Sequence, residues 1–188
     1  MNWRLMGLVL ALPLAACGTA EDTRYLIGAP ALVEPAKARV GLRSVELRDV
    51  TLPEHASGTD VLFRHEDGAL RPLGDAVWAD DPERAVTGTL AQLLDARSSA
   101  VVAPEPWPLR DGPSARMTVR IDKMIASSTG LFEITGLAAI AGVEGRPRER
   151  VERFGIAVPL TAATAAAVTE AQGRALVALS DELVGLLR

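Results

Sequence analysis

The sequence contains few of the residues that usually build metal or redox centres. Its 188 residues include one cysteine, two histidines and one tyrosine. A single cysteine cannot form a disulfide within the chain, and a zinc site usually needs three or four protein ligands. The side chains of adjacent residues such as His65, Glu66 and Asp67 rarely converge on one ion. Like His55, these three residues fit a solvated turn better. We therefore expect no metal and no cofactor.

Short motifs for common enzymatic chemistry are also missing. The sequence has no Gly-x-Ser-x-Gly elbow, no Walker loop and no dinucleotide fingerprint. Asp80 and Asp81 could form a pair of catalytic carboxylates, but capping of a helix that begins at Pro82 explains them better. A Ser-His-Asp triad of distant residues stays open, because its members need not be close in the chain.

Clustered positive charge and long apolar runs are scarce as well. The chain has 20 Lys and Arg against 24 Asp and Glu, a formal net charge of −4. No long basic run is present, and nucleic acid binding needs clustered positive charge. After the N-terminal run over residues 5–16, no segment approaches the roughly 20 apolar residues that span a bilayer. We therefore expect neither nucleic acid binding nor a membrane-spanning helix.

The N-terminus has the pattern of a lipoprotein precursor. Arg4 is the only charge before residue 17, and the apolar run that follows it is typical of a secretory signal. The run ends in Leu14-Ala15-Ala16-Cys17, which resembles the bacterial lipobox, where the cysteine is acylated. We predict a signal peptide over residues 1–16 and lipidation of Cys17. The alternative is an ordinary signal peptide with an incidental cysteine.

Lipidation would place the mature chain on a membrane surface. Residues 17–24 then form a lipidated tether, and residues 25–188 form a single α+β periplasmic domain. Two or three acyl chains anchor a protein stably, whereas one is marginal. An Asp after the cysteine commonly signals inner-membrane retention in enteric bacteria, so Gly18 favours the outer membrane. We predict a lipid-anchored position on the periplasmic face of the cell envelope.

Hydrophobic patterning and capping signals predict the elements of this domain. Asp67-Gly68 marks a hairpin turn, and Asp81 followed by Pro82 marks a helix start. Alternation predicts strands over residues 25–27, 39–47, 61–64, 69–73, 100–103, 115–124, 131–140 and 151–158. Apolar stripes predict helices from residue 82 and from residue 161 or 164 to 187. We predict an α+β fold, with a mostly antiparallel sheet and two main helices packed on one face.

Trp107 is the residue that we single out as a candidate for partner binding. It lies between Pro106 and Pro108, where proline stiffens the chain and lowers the entropy lost on binding. Tryptophan is enriched among the residues that anchor interfaces. The alternative interpretation is that Trp107 belongs to the core.

Several short motifs follow one another in a characteristic order. They are Tyr25-Leu26-Ile27-Gly28, Leu52-Pro53-Glu54, Val77-Trp78-Ala79, Val101-Val102-Ala103-Pro104, Trp107-Pro108, Val119-Arg120-Ile121-Asp122 and Leu179-Ser180-Asp181-Glu182-Leu183. In this order and spacing the chain resembles the ABC-type transport auxiliary lipoprotein component family, which includes the PqiC-like lipoproteins. The hairpin over residues 58–73 departs from the family, because it only partly echoes an aromatic or Arg-rich strand.

The resemblance implies a non-catalytic component of an intermembrane transport system for lipids or other hydrophobic molecules. Such systems combine an ABC permease and ATPase with a periplasmic protein that carries mammalian-cell-entry (MCE) domains, and the MCE protein is the implied partner. The resemblance also leaves open that the protein forms a homo-oligomer.

Two other functions stay open. A periplasmic lipid-binding carrier would show an apolar cavity between sheet and helices. A periplasmic hydrolase would show a serine within hydrogen-bond reach of His55 or His65 in a cleft.

Overall fold

A computed structural model describes residues 22–28, 36–143 and 149–188, which contain one eight-stranded sheet and three helices. The predicted signal peptide, the lipobox and Cys17 lie outside these residues. The strands are β1 (Thr23–Tyr25), β2 (Ser44–Leu47), β3 (Asp60–Arg64), β4 (Leu70–Trp78), β5 (Val101–Pro104), β6 (Ala115–Ser127), β7 (Leu131–Gly142) and β8 (Glu149–Pro159). The helices are α1 (Glu54–Ser57), α2 (Pro82–Arg97) and α3 (Ala165–Leu186).

Both long helices begin directly after a residue whose side chain caps the first turn. The Asp81 carboxylate accepts a hydrogen bond from the backbone N–H of Arg84 at 2.9 Å, which satisfies a donor that the first turn leaves unpaired. The Thr164 hydroxyl accepts in the same way from the N–H of Ala167 at 3.3 Å. The predicted start of α2 is confirmed, and α3 uses the later of its two predicted starts. None of the described helices is long and apolar enough to cross a membrane.

The sheet is organised around β6. On one side β7 pairs with the whole length of β6, and β8 pairs with β7, both antiparallel. On the other side β6 pairs in parallel with β2 near its start and with β3 near its end. β5 then extends the sheet beyond β2, while β4 and β1 extend it beyond β3.

The predicted α+β class and the two helices on one face are confirmed. The long pairs of β6 with β7 and of β7 with β8 are antiparallel, as expected, but the sheet is mixed. Four short pairings are parallel, because β2 and β3 both run alongside β6 in its own direction, and because β1 and β5 are added in parallel at the two outer ends.

The short elements differ most from prediction. β1 lies two residues earlier than the predicted strand, because its parallel pairing with β4 sets Tyr25 opposite Trp78. β2 is shorter than the predicted strand over residues 39–47. The predicted turn after Leu52 contains the one-turn helix α1, which buries none of its residues. Such short elements carry little hydrophobic periodicity, so the sequence alone indicates their bounds poorly.

One face of β6 and β7 forms the floor of the core. Alternation along both strands turns apolar side chains toward α2 and α3 and leaves charged or half-buried side chains on the opposite face. The core side chains of the two strands and α3 include Met117, Val119, Ile121, Ile134, Ala138, Ile140, Leu176, Leu179 and Leu183. Because both helices lie on this face, the other face of the sheet is available to loops.

Gly136 occupies a place in the core where no side chain fits. A Cβ atom there would collide with the backbone carbonyl oxygen of Arg120 and would lie 2.6 Å from Cζ of Phe154. Phe154 is the residue opposite Gly136 on β8, so its ring lies over the glycine. The glycine therefore allows the close contact between β6, β7 and the aromatic ring.

We expect Gly136→Ala to destabilise the protein by about 2 kcal/mol or more, because a strand must move to relieve the overlap. For a chain of this size, that loss lowers the thermal midpoint by about 4–8 °C. Gly155→Ala on β8 is the matched control, since no heavy atom lies within 4 Å of its added Cβ. Equal midpoints for the two variants, measured by circular dichroism, would contradict this account of the core.

Candidate partner-binding groove

A groove of about 580 Å³ lies beside the loop that connects β5 to β6. We call it the Trp107 groove. Its lining includes Arg43, Val101, Trp107, Leu109, Asp111 and Val143. The groove therefore combines apolar side chains with charged residues, a composition that suits recognition of another molecule.

A buried carboxylate ties the start of this loop to the sheet. Glu46 on β2 is only 6% exposed. Its Oε1 accepts a hydrogen bond from the backbone N–H of Trp107 at 3.1 Å, and its Oε2 accepts one from Arg116 Nε at 2.7 Å. A buried charge is costly unless it is paired and hydrogen-bonded. The loop and Arg116 meet that requirement together, so the Glu46 charge favours the observed loop position.

Further contacts hold both ends of the loop. At its start, Glu105 donates its backbone N–H to the Leu47 carbonyl at 2.8 Å and pairs with Arg48 at 2.5 Å. At its end, the Ser114 hydroxyl donates to the Ser44 carbonyl at 2.6 Å, and the Ser44 N–H donates to the Ser114 hydroxyl at 3.0 Å. The loop between β5 and β6 is therefore held against β2 and the residue that follows it at both ends.

The Trp107 ring is held within the loop and lies outside the hydrophobic core. Its indole N–H donates to the backbone carbonyl of Asp111 at 2.6 Å. The side chain is half-buried and does not belong to the core cluster. Of the two alternatives drawn from the sequence, the structure places Trp107 at the surface groove. Its binding of a partner stays a prediction.

Two exposed aliphatic side chains extend the apolar surface beside Trp107. Val101 is 48% exposed and Leu109 is 55% exposed, and both line the groove. Exposed apolar surface gathered in a groove is typical of interaction sites, whereas single exposed residues are common and need no explanation. The fixed loop would bind with little loss of conformational entropy.

The sequence indicates Trp107 as a candidate for partner binding, but it does not indicate the residues around Trp107 in the groove. Val101 belongs to a predicted strand, but its outward direction depends on the pairing of β5 with β2. Leu109 has no local signal at all. The role of Glu46 depends on Arg116, which lies 70 residues away in the chain, so no motif could have indicated it.

The other candidate residues have structural roles. Asp81 caps α2 as predicted, and Asp80 accepts hydrogen bonds from Arg84 and from the Asp81 backbone, which lower the pKa of its carboxyl. In the β3–β4 turn, hydrogen bonds from Arg71 and the Ala69 N–H lower the pKa of Asp67 to about 2. The lowered pKa values favour the carboxylate forms of Asp67 and Asp80, so these two acids are poorly suited to proton transfer near neutral pH.

The two histidines lie in separate segments of the chain. His65 packs edge-on against Phe63 with ring centroids 5.3 Å apart, and His55 lies on α1. Within the described residues, neither histidine side chain hydrogen-bonds to a serine. In the same part of the chain, no three His, Cys, Asp or Glu side chains gather in a way that could hold a metal ion.

A small cavity lies where α1, α3 and the sheet meet. Its volume is about 20 Å³, room for about one water molecule. Its lining includes His55, Trp78, Phe132 and Gln172. Pockets for small molecules usually measure about 300–1,000 Å³, so this cavity does not favour the carrier alternative.

Two solved structures share the fold of this chain. A crystal structure of an uncharacterized protein has a TM-score of 0.71 at 14% identity, and the match covers 89% of this chain and 100% of that one. A crystal structure of a DUF330 protein from Xanthomonas campestris has a TM-score of 0.65 at 16% identity, with 87% and 93% covered. At these identities the likeness shows the fold alone. No curated protein matches the sequence.

The family comparison covers much more than a local motif. A sequence model described as "ABC-type transport auxiliary lipoprotein component" matches residues 25–184. The match includes all three helices almost to the end of α3, as well as the loop that carries Trp107. This chain belongs to the ABC-type transport auxiliary lipoprotein component family.

Proposed function

We propose that the protein is a non-catalytic, lipid-anchored component of an intermembrane transport system, and that the Trp107 groove binds the MCE-domain protein of that system. An ABC permease and ATPase complete the system, which moves lipids or other hydrophobic molecules. Family membership supports the role in ABC-type transport. The groove supports a docking role, because it presents apolar side chains on a loop that the sheet already holds in place.

The proposed anchor is the lipid on Cys17. The sequence Leu14-Ala15-Ala16-Cys17 supports cleavage after residue 16, and the family is one of lipoproteins. The proposed tether runs from residue 17 to the start of β1 at Thr23, where the chain joins the sheet of the domain. Gly18 supports the outer membrane as the site of the anchor, with the domain in the periplasm.

The observation that carries the docking proposal is the exposed apolar surface around Trp107. Burial of Val101, Trp107 and Leu109 against a partner would gain about 25 cal/mol for each Å² of apolar area removed from water. Arg43 and Asp111 at the same groove provide charges of both signs that could orient the partner. A groove with an ordered aromatic anchor and a polar surround matches the usual anatomy of an interface.

We expect Trp107→Ala to weaken binding of a purified periplasmic MCE domain at least about tenfold. Truncation of an aromatic anchor often costs 2 kcal/mol or more, and about 1.4 kcal/mol corresponds to tenfold in affinity. The thermal midpoint should stay within about 2 °C of wild type, because Trp107 lies outside the core. A fall in binding and midpoint together would show that Trp107 supports the fold instead.

A second pair of variants separates the groove from exposed apolar surface in general. Leu109→Ala removes an exposed side chain beside Trp107 but leaves the loop hydrogen bonds in place. Leu70→Ala is its matched control, since Leu70 is 41% exposed on β4. We expect weaker binding for Leu109→Ala alone; equal affinities for the two variants would contradict the assignment of the groove.

We expect Cys17→Ala to abolish incorporation of labelled palmitate and to leave the precursor uncleaved, because the variant has no thiol to acylate. Thr19→Ala, two residues away, should be labelled and processed as wild type. Gel autoradiography of labelled cells measures both results. Unchanged labelling of Cys17→Ala would disprove lipidation at this residue and leave the groove proposal standing.

A further inference from the structure

The first part of β8 has a charge pattern that is complementary to itself. We call the residues Glu149-Arg150-Val151-Glu152-Arg153 the β8 edge segment. Among the described strands β8 pairs only with β7, so one side of its backbone lies at the edge of the sheet. All five side chains are exposed. Read outward from Val151 in both directions, each acid is matched by a base at the same distance.

Among the described residues, few cover the side chains of the β8 edge segment. None of its four charged residues forms an ion pair with another described residue. Val151 is 64% exposed at the centre of the segment. A free strand edge is a template for another strand, and here both the backbone and the side chains are available to one.

We propose that two copies of this chain pair through the β8 edge segment, antiparallel about a twofold axis at Val151. In this register Glu149 faces Arg153 of the second copy, Arg150 faces its Glu152, and the two Val151 side chains face each other. Directly opposed residues of antiparallel strands have Cβ atoms about 4.5–5.5 Å apart on one face of the sheet. All four ion pairs and the central apolar contact therefore form together.

The charges select this register over its neighbours. An axis one residue earlier sets Arg150 against Arg150, and an axis one residue later sets Glu152 against Glu152. A parallel arrangement in register sets every charge beside its like. Opposite charges across strands stabilise a pair and like charges destabilise it. The antiparallel arrangement also satisfies the twofold symmetry of a dimer whose two surfaces are identical.

A five-residue strand is a small interface, so we expect a weak dimer that is best detected by covalent capture. The test uses the full chain in membranes of the expressing cells, with Val151→Cys and oxidation by copper phenanthroline. Two opposed residues lie within the Cα separation of about 4.4–6.8 Å that a disulfide needs. Ala157→Cys, on the same strand, is the matched control, because its two copies would lie roughly 40 Å apart. The unaltered chain gives the baseline for Cys17.

We expect at least about tenfold more disulfide-linked dimer for Val151→Cys than for Ala157→Cys. Adding Arg150→Glu to Val151→Cys should lower the yield at least about fivefold, because two ion pairs become like-charge pairs. Adding Glu152→Arg as well restores opposite charges with exchanged signs and should restore the yield.

Three results would overturn the proposal. They are equal yields at positions 151 and 157, a yield that ignores the charge changes, and capture of a different protein by Val151→Cys in place of a second copy. None of them bears on binding at the Trp107 groove, which lies on other strands.

Discussion

Burial of one face of β6 and β7 against α2 and α3 is the constraint on which the rest of the structure depends. Buried and more exposed side chains alternate along both strands. The apolar side chains therefore face the core, and the residues between them face the opposite side of the sheet. Gly136 leaves room for the Phe154 ring of β8 to pack over β7, beside the backbone of β6. With both long helices on one side, the opposite side can accept a loop without disturbing the core.

The loop that uses this free side is held by a carboxylate of the same sheet. Glu46 is buried although it lies on the face opposite the helices, because Arg116 and the backbone of Trp107 cover it. Desolvation of that charge is offset only while these partners stay in place. The same contacts that stabilise the buried charge therefore hold the backbone of Trp107 against β2, which links the fold to the proposed docking function.

The long elements could be predicted because their signals are local. Asp81 and Thr164 cap their helices through residues three positions away, and the alternation of β6 is visible in its own residues. The mixed order of the sheet and the position of β1 depend on distant pairings instead, and α1 is too short and too exposed to carry a periodic pattern. The same distinction holds for the residues of the groove. The sequence indicates Trp107 through its residue type and its two flanking prolines, whereas the positions of Val101 and Leu109 follow only from the folded structure.

The most direct test of the central claim is photo-crosslinking from the groove in intact cells. A photoreactive benzoylphenylalanine at position 109 lies beside Trp107, and the same residue at position 70 lies on β4 as a control. If the groove docks the transport system, irradiation links position 109, and not position 70, to an MCE-domain protein. An MCE adduct from both positions, or from neither while the protein is present at its normal level, would contradict the account.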